Sequence, residues 1–224
     1  MTREFTLVDA LALGDLDVFL GRASRVEDGS VRLIAGSGVL AVYVAVLYPA
    51  GLLDETPTVL GLRTFALEDR PEFDSVVPVR SLIQRLERLK GEVTDAAAPV
   101  TVTLPLEVNT VTWAAISPPK GGWRTHESTS AALLERTAHA GIDEVATAVP
   151  SGRGEQIVHK VRSEVWGRPI EGLEHVPAGA AFAALSLGFL SDDEVQVLEV
   201  GPWTRLTTER GHVLVKRRAW TLAR

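Results

Sequence analysis

The residues best suited to chemistry gather in one loop, Ser117-Pro118-Pro119-Lys120-Gly121-Gly122-Trp123-Arg124. Two adjacent glycines free the backbone to turn its amides toward an anion. Lys120 and Arg124 supply positive charge, and Trp123 offers a flat surface for a base or a sugar. Arg153, in Ser151-Gly152-Arg153-Gly154 ahead of an expected helix, is a third cation placed for the same purpose. Lys120, Gly121, Gly122, Trp123, Arg124 and Arg153 therefore form the candidate ligand-binding set, with His126 as the candidate acid–base group. The loop has neither the G-x-x-x-x-G-K-[ST] spacing of a phosphate-binding loop nor a dinucleotide fingerprint. Its competing reading is a surface crossover with Trp123 plugging the core, because Pro and Gly mark turns. Glu155 also opposes a phosphate at the second loop, since a carboxylate in the first helical turn already answers the helix dipole.

Other constellations are thinner. Glu135, His139 and Asp143 follow one another at four-residue intervals, so a continuous helix would place them on one face as candidate metal ligands. His126 and Glu127 stand by as helpers, and no fourth ligand is evident. A solvated charged face explains the same three residues. Ala184-Leu185-Ser186-Leu187-Gly188 lacks the first glycine and the preceding strand of a nucleophile elbow. No HEXXH zinc motif occurs. No cofactor is implied.

The elements that must hold these residues follow from hydropathy. Val39–Tyr48 is apolar on both faces and reads as the covered centre of a sheet. Val31–Ala35 precedes it across a Gly36-Ser37-Gly38 hairpin turn, and Thr58–Leu67 and Val76–Val79 follow as further strands. Asp15 is placed to cap a helix over Leu16–Ser24, and Ser81 one that ends at Gly91. Val100 to Asn109 alternates cleanly, with Pro105 demoting it to an edge or a bulge. Beyond the loop, helical spacing runs from about Ser130 to Val149, with Gly141 as a weak point. A second helix stops at Gly167. Pro177 opens an Ala-rich helix to about Leu190, whose small residues suit close packing, including against a second copy. Val195–Val200 and the hairpin Trp203–Thr208/His212–Arg217 close the chain.

Bulk composition narrows the function. The chain has 224 residues and no cysteine, which excludes disulfides, thiol nucleophiles and cysteine-based metal sites. The net charge of -6 lies in residues 1–112; residues 113–224 balance 13 cations against 13 carboxylates. A helix-turn-helix over 143–166 would have to work in a stretch, 113–175, with 7 Lys/Arg against 8 Asp/Glu. On this balance a nucleic-acid partner is not expected. Leu33–Leu53 is uncharged for 21 residues, a spanning length. Its Gly and Pro punctuation favours a buried strand, so no membrane partner is expected. The N-terminal acidic residues break any signal-peptide core.

The run Val31–Leu67, together with the Pro118–Arg124 loop, resembles a family of uncharacterised actinobacterial proteins. That resemblance implies no activity. The expectation is a single α+β domain over 1–224, built on a mixed or antiparallel sheet centred on strand 39–48. It has a β-rich half (1–117) and a helical half (125–190) closed by strands over 195–217, ending in a β-hairpin. Function is expected to be that of a cytoplasmic, non-enzymatic binding or interaction protein, a candidate homo-oligomer. The alternative is an enzyme or sensor for a small anionic, phosphorylated or nucleotide-like ligand at 118–124.

Overall fold

The computed structural model describes residues 3–51, 53–109, 111–149 and 155–216. The fold is α+β, with antiparallel pairing throughout the strand registers given below and, among the described residues, no cis peptide bond. The chain divides into two compact units. The first is Met1–Val44 with Leu62–Ile116, and the second is Ala45–Gly61 with Ser117–Arg224.

In the first unit, β1 (Glu4–Leu7) leads into α1 (Ala10–Val26). The helix starts six residues earlier than the Leu16 start expected from sequence, capped by Asp9 in place of Asp15. Asp9 has the extended backbone of a cap, and its carboxylate accepts from the Ala12 amide at 2.7 Å. Leu13, Leu16, Phe19, Leu20 and Ala23 form the buried stripe. β2 (Ser30–Gly36) and β3 (Val39–Leu47) form the expected hairpin, in which Ser37 and Gly38 take φ of 54° and 77°. β4 (Thr58–Ala66) and β5 (Phe73–Pro78) complete the order β5-β2-β3-β4, with Ala45–Leu47 of β3 and Thr58–Gly61 of β4 counted in the second unit. Every residue of β3 from Val42 to Leu47 is buried, so both its faces are covered, as a two-sided apolar run requires. α2 (Val79–Glu92) packs against α1 and the strands β5 and β6 and buries Val79, Leu82 and Leu86.

The long alternation after residue 100 forms a strand only over β6 (Val100–Thr103), paired with β1. The Leu104 amide still reaches the Arg3 carbonyl, but Pro105 has no N–H to continue the ladder. Thr112–Ala115 then make a 3-10 turn that buries Trp113.

In the second unit, β7 (Arg124–Ser130) runs into α3 (Ala131–Ala148), followed by α4 (Glu155–Gly167). The hairpin β8 (Pro169–Ile170) and β9 (Leu173–Pro177) leads to α5 (Ala178–Ser186). β10 (Glu194–Val200), β11 (Trp203–Thr208) and β12 (Gly211–Lys216) join β7 in the order β12-β11-β10-β7. Gly141 does not break α3: a Cβ there would sit 2.2 Å from the Trp166 ring, so glycine lets α4 approach. Trp166 in turn stacks on Phe182 of α5 at 4.4 Å between ring centroids. The Ala-rich helix packs against α3 and α4 of its own unit, with Ala180, Ala181 and Ala183 fully buried.

Candidate functional site

β7 reads Arg-Thr-His-Glu-Ser-Thr-Ser, with no apolar residue to announce a strand. It forms because β10 supplies the ladder. Thr129 faces Val195 and is the one residue of β7 that is buried. Ser130 ends the strand and caps α3, accepting from the Leu133 amide at 3.2 Å. Nothing pairs with the other side of β7 among the described residues, which makes it an edge strand.

The register of β7 on β10 slips once. Glu127 faces Val197 and Thr125 faces Leu198, so His126 is the extra residue of a β-bulge. On a regular strand, residues 126 and 127 would point to opposite faces. A bulge re-aims one of them. The result is that the Nε2 of His126 stands 3.6 Å from the Glu127 carboxylate. From β9, whose turn is made by Gly172 at φ 79°, the Nε2 of His175 approaches the same carboxylate oxygen at 3.5 Å. The two imidazoles meet edge to face with centroids 5.2 Å apart. Potential ligand atoms from all three residues lie within 4.8 Å of one another.

His175 is the least accessible of the three, and its buried Nε2 makes no hydrogen bond among the described residues. Leaving a polar atom so costs about 1–3 kcal/mol. A cleft of about 520 Å³ opens beside the bulge, lined by Gly122, Arg124, Thr125, His126, Glu199 and Gly201.

The sequence candidates distribute unevenly around this site. Gly122, Arg124 and His126 share the cleft wall; Lys120 and Gly121 are exposed and do not line it. Trp123 faces elsewhere, donating its indole N–H to the Pro119 carbonyl at 3.1 Å and holding the Arg205 guanidinium 4.7 Å from its ring. Arg153 lies outside the described residues. Glu135 and His139 stand 3.9 Å apart on α3, both more than half exposed, and Asp143 is exposed on the same helix. His126 and Glu127 gather with His175, not with that helical trio. Nothing in Leu173-Glu174-His175-Val176-Pro177 marked His175 beforehand, because its partners come from a strand that tertiary pairing creates.

A second imidazole behaves differently. His212 on β12 is half-buried, with Nδ1 3.2 Å from the Thr207 hydroxyl. Burial, assisted by the Arg205 guanidinium, pushes it down to about 4. Burial likewise lowers Arg205 from its ordinary value.

Two family models match the chain. Residues 1–105 match the one described as Domain of unknown function (DUF8010), and residues 118–220 match Domain of unknown function (DUF8185). Both are of unknown function, which fits an uncharacterised family. No curated protein matches the chain by sequence. Solved structures do match by shape. The DNA polymerase III subunit beta of Pseudomonas aeruginosa is similar at 16% identity and a TM-score of 0.52, covering 99% of this chain and 66% of that one. Caulobacter crescentus pol III beta gives 12% identity and a TM-score of 0.54 at the same coverages. The DNA polymerase III beta sliding clamp of Bartonella birtlesii, bound to griselimycin, gives 14% and 0.51, covering 100% of this chain and 67% of that one. At these identities the likeness shows a shared fold, and the chain spans 66% of the first two clamps' length.

That likeness overturns two expectations. An interaction protein of no assignable class, or a small-anion enzyme, is replaced by a chain with the fold of DNA polymerase sliding clamps. The exclusion of nucleic acid falls with it. The charge balance that supported the exclusion was summed along the sequence, whereas nucleic acid meets one surface at a time. α2 carries four cations against two carboxylates, and α3 one cation against three.

Proposed function

We propose that this protein is a clamp-like, DNA-associated protein that works as an assembly of several copies. The observation that carries this reading is the match of 99–100% of the chain to DNA polymerase sliding clamps at TM-scores of 0.51–0.54. α2 supports the DNA part, with Arg80, Arg85, Arg88 and Lys90 on one short helix. Arg80 and Arg88 are exposed there. β7 supports the assembly part, because an edge strand with one unpaired side is a template for another chain. A cytoplasmic location is supported by the lack of cysteine and by the absence, among the described residues, of a helix long and apolar enough to cross a membrane. Arg outnumbers Lys by 19 to 4, a bias that supports an actinobacterial, GC-rich source.

Duplex-DNA binding followed by fluorescence anisotropy across a salt series tests the reading. Affinity should fall with salt, and Arg80→Gln/Arg88→Gln should reduce the log–log slope by about 2, roughly 1 for each lost phosphate contact. Binding that is absent at low salt, or indifferent to that double substitution, would overturn the DNA reading. Light scattering that shows only a monomer at tens of micromolar would overturn the assembly.

A further inference from the structure

We propose that His126, Glu127 and His175 form a three-ligand site for a zinc-class divalent cation, with the fourth position on the side of the cleft that His126 lines.

The donor set is the first argument. Two imidazole nitrogens and one carboxylate oxygen suit zinc and its neighbours, and three protein ligands leave one position for water or a ligand group. Spacing is the second. Tetrahedral zinc with arms of about 2.0–2.2 Å has edges of about 3.3–3.6 Å. Glu127 stands 3.6 Å from His126 Nε2 and 3.5 Å from His175 Nε2. Those separations are longer than good charge-assisted hydrogen bonds, yet they match the edges of a coordination tetrahedron. The third argument is His175 Nε2, a buried lone pair or proton that makes no hydrogen bond among the described residues and lies on the carboxylate's side of the ring. The fourth is the bulge, which turns two consecutive residues toward one point where a regular strand would separate them.

Glu135 and His139 supply an internal reference. They are the same residue types at 3.9 Å, but both are exposed on a helix face and no third ligand joins them among the described residues. That pair is a solvated surface contact. In the β7–β9 group a third residue from a distant segment closes the triangle, so a bound cation would tie β9 to the edge strand. The inference stands independently of the DNA-associated reading.

The experiment uses the whole chain, stripped with a chelator and titrated with Zn²⁺ against a chromophoric competitor, then with Co²⁺ for its visible spectrum. One equivalent should bind, with the intense ligand-field bands of a four-coordinate cobalt site. His175→Ala and Glu127→Gln should each weaken binding by about 100-fold or more, while Glu135→Gln/His139→Ala should bind like the wild type. Circular dichroism and a cooperative melt confirm folding; should His175→Ala not fold, the near-isosteric Glu127→Gln decides alone. Failure of the wild type to bind an equivalent at micromolar Zn²⁺, retention of affinity in Glu127→Gln, or loss in the α3 variant would each overturn the site.

Discussion

Each unit carries a polar cluster near the edge of its sheet, and the two clusters are finished to different degrees. In the first unit, Arg32 of β2 meets Asp74 of the edge strand β5 in a two-pronged pair, Nε to Oδ1 at 2.8 Å and Nη2 to Oδ2 at 2.6 Å. Its remaining Nη1 donates to the Ile116 carbonyl at 3.1 Å. Arg3 extends the cluster to Ser75 at 2.6 Å and to Glu107. In the second unit, the imidazole nitrogens of His126 and His175 stand 3.6 and 3.5 Å from the Glu127 carboxylate, and one buried nitrogen makes no hydrogen bond among the described residues. Charge-assisted hydrogen bonds shorten when two protein groups are made for each other. The first cluster is therefore internally complete and acts in stability. The second is arranged around a point between its members.

Stability measurements can break that contrast. The largest effect is expected at Arg32, whose side chain is 11% exposed and whose guanidinium is raised above its ordinary value chiefly by the hydrogen bond to Asp74. Arg32→Ala removes the bonds to Asp74 and to the Ile116 carbonyl and should cost about 2–3 kcal/mol in urea unfolding. A loss below about 0.5 kcal/mol would mean that screening at the half-exposed Asp74 cancels the pair.

His212 gives the next largest effect and sets the second unit's own scale for an imidazole closed into the structure. Its folded value of about 4 lies below its usual 6.5. Between those values the unfolded chain binds a proton that the folded chain refuses, so this contribution is complete above about 6.5 and is lost as pH falls toward 4. The full difference corresponds to roughly 3 kcal/mol, reduced to about 2 because solvent still reaches the ring. Unfolding free energies at pH 7.5 and 4.5 should differ less for His212→Asn than for the wild type. Equal differences would sink the argument.

How much of this was legible in the sequence varied with how local its cause was. The β2–β3 hairpin could be read because Gly36-Ser37-Gly38 encodes its own turn. The two-faced burial of β3 followed from its unbroken apolar run. α1 was misplaced at its start because Asp15 and Asp9 are both plausible caps, and the choice falls to the segment that fits Leu13 against the core. Gly141 reads as a flaw in a helix until Trp166 is beside it. β7 and its site were least legible. A seven-residue polar strand exists through its partner β10, and both the bulge and the approach of His175 come from that pairing. His126 and Glu127 could be nominated by residue type; the residue that completes their group could not.

The smallest expected effect is the most telling. If His126, Glu127 and His175 were a structural cluster like Arg32 and Asp74, His175→Ala would destabilise the chelator-treated protein by a comparable amount. The geometry argues otherwise. No bond as short as those of Arg32 would be lost, and the substitution removes a buried nitrogen whose hydrogen-bonding capacity is unmet. Against that gain stand the lost edge-to-face contact with His126 and a small void. The two should nearly cancel, leaving a change within about 0.5 kcal/mol in either direction. The same variant should then separate sharply from the wild type when Zn²⁺ is added. The wild type should gain about 2.7 kcal/mol at a hundredfold excess over its dissociation constant, and His175→Ala almost nothing. A large loss without metal, with no divergence on adding it, would make the two clusters alike and erase the distinction between them.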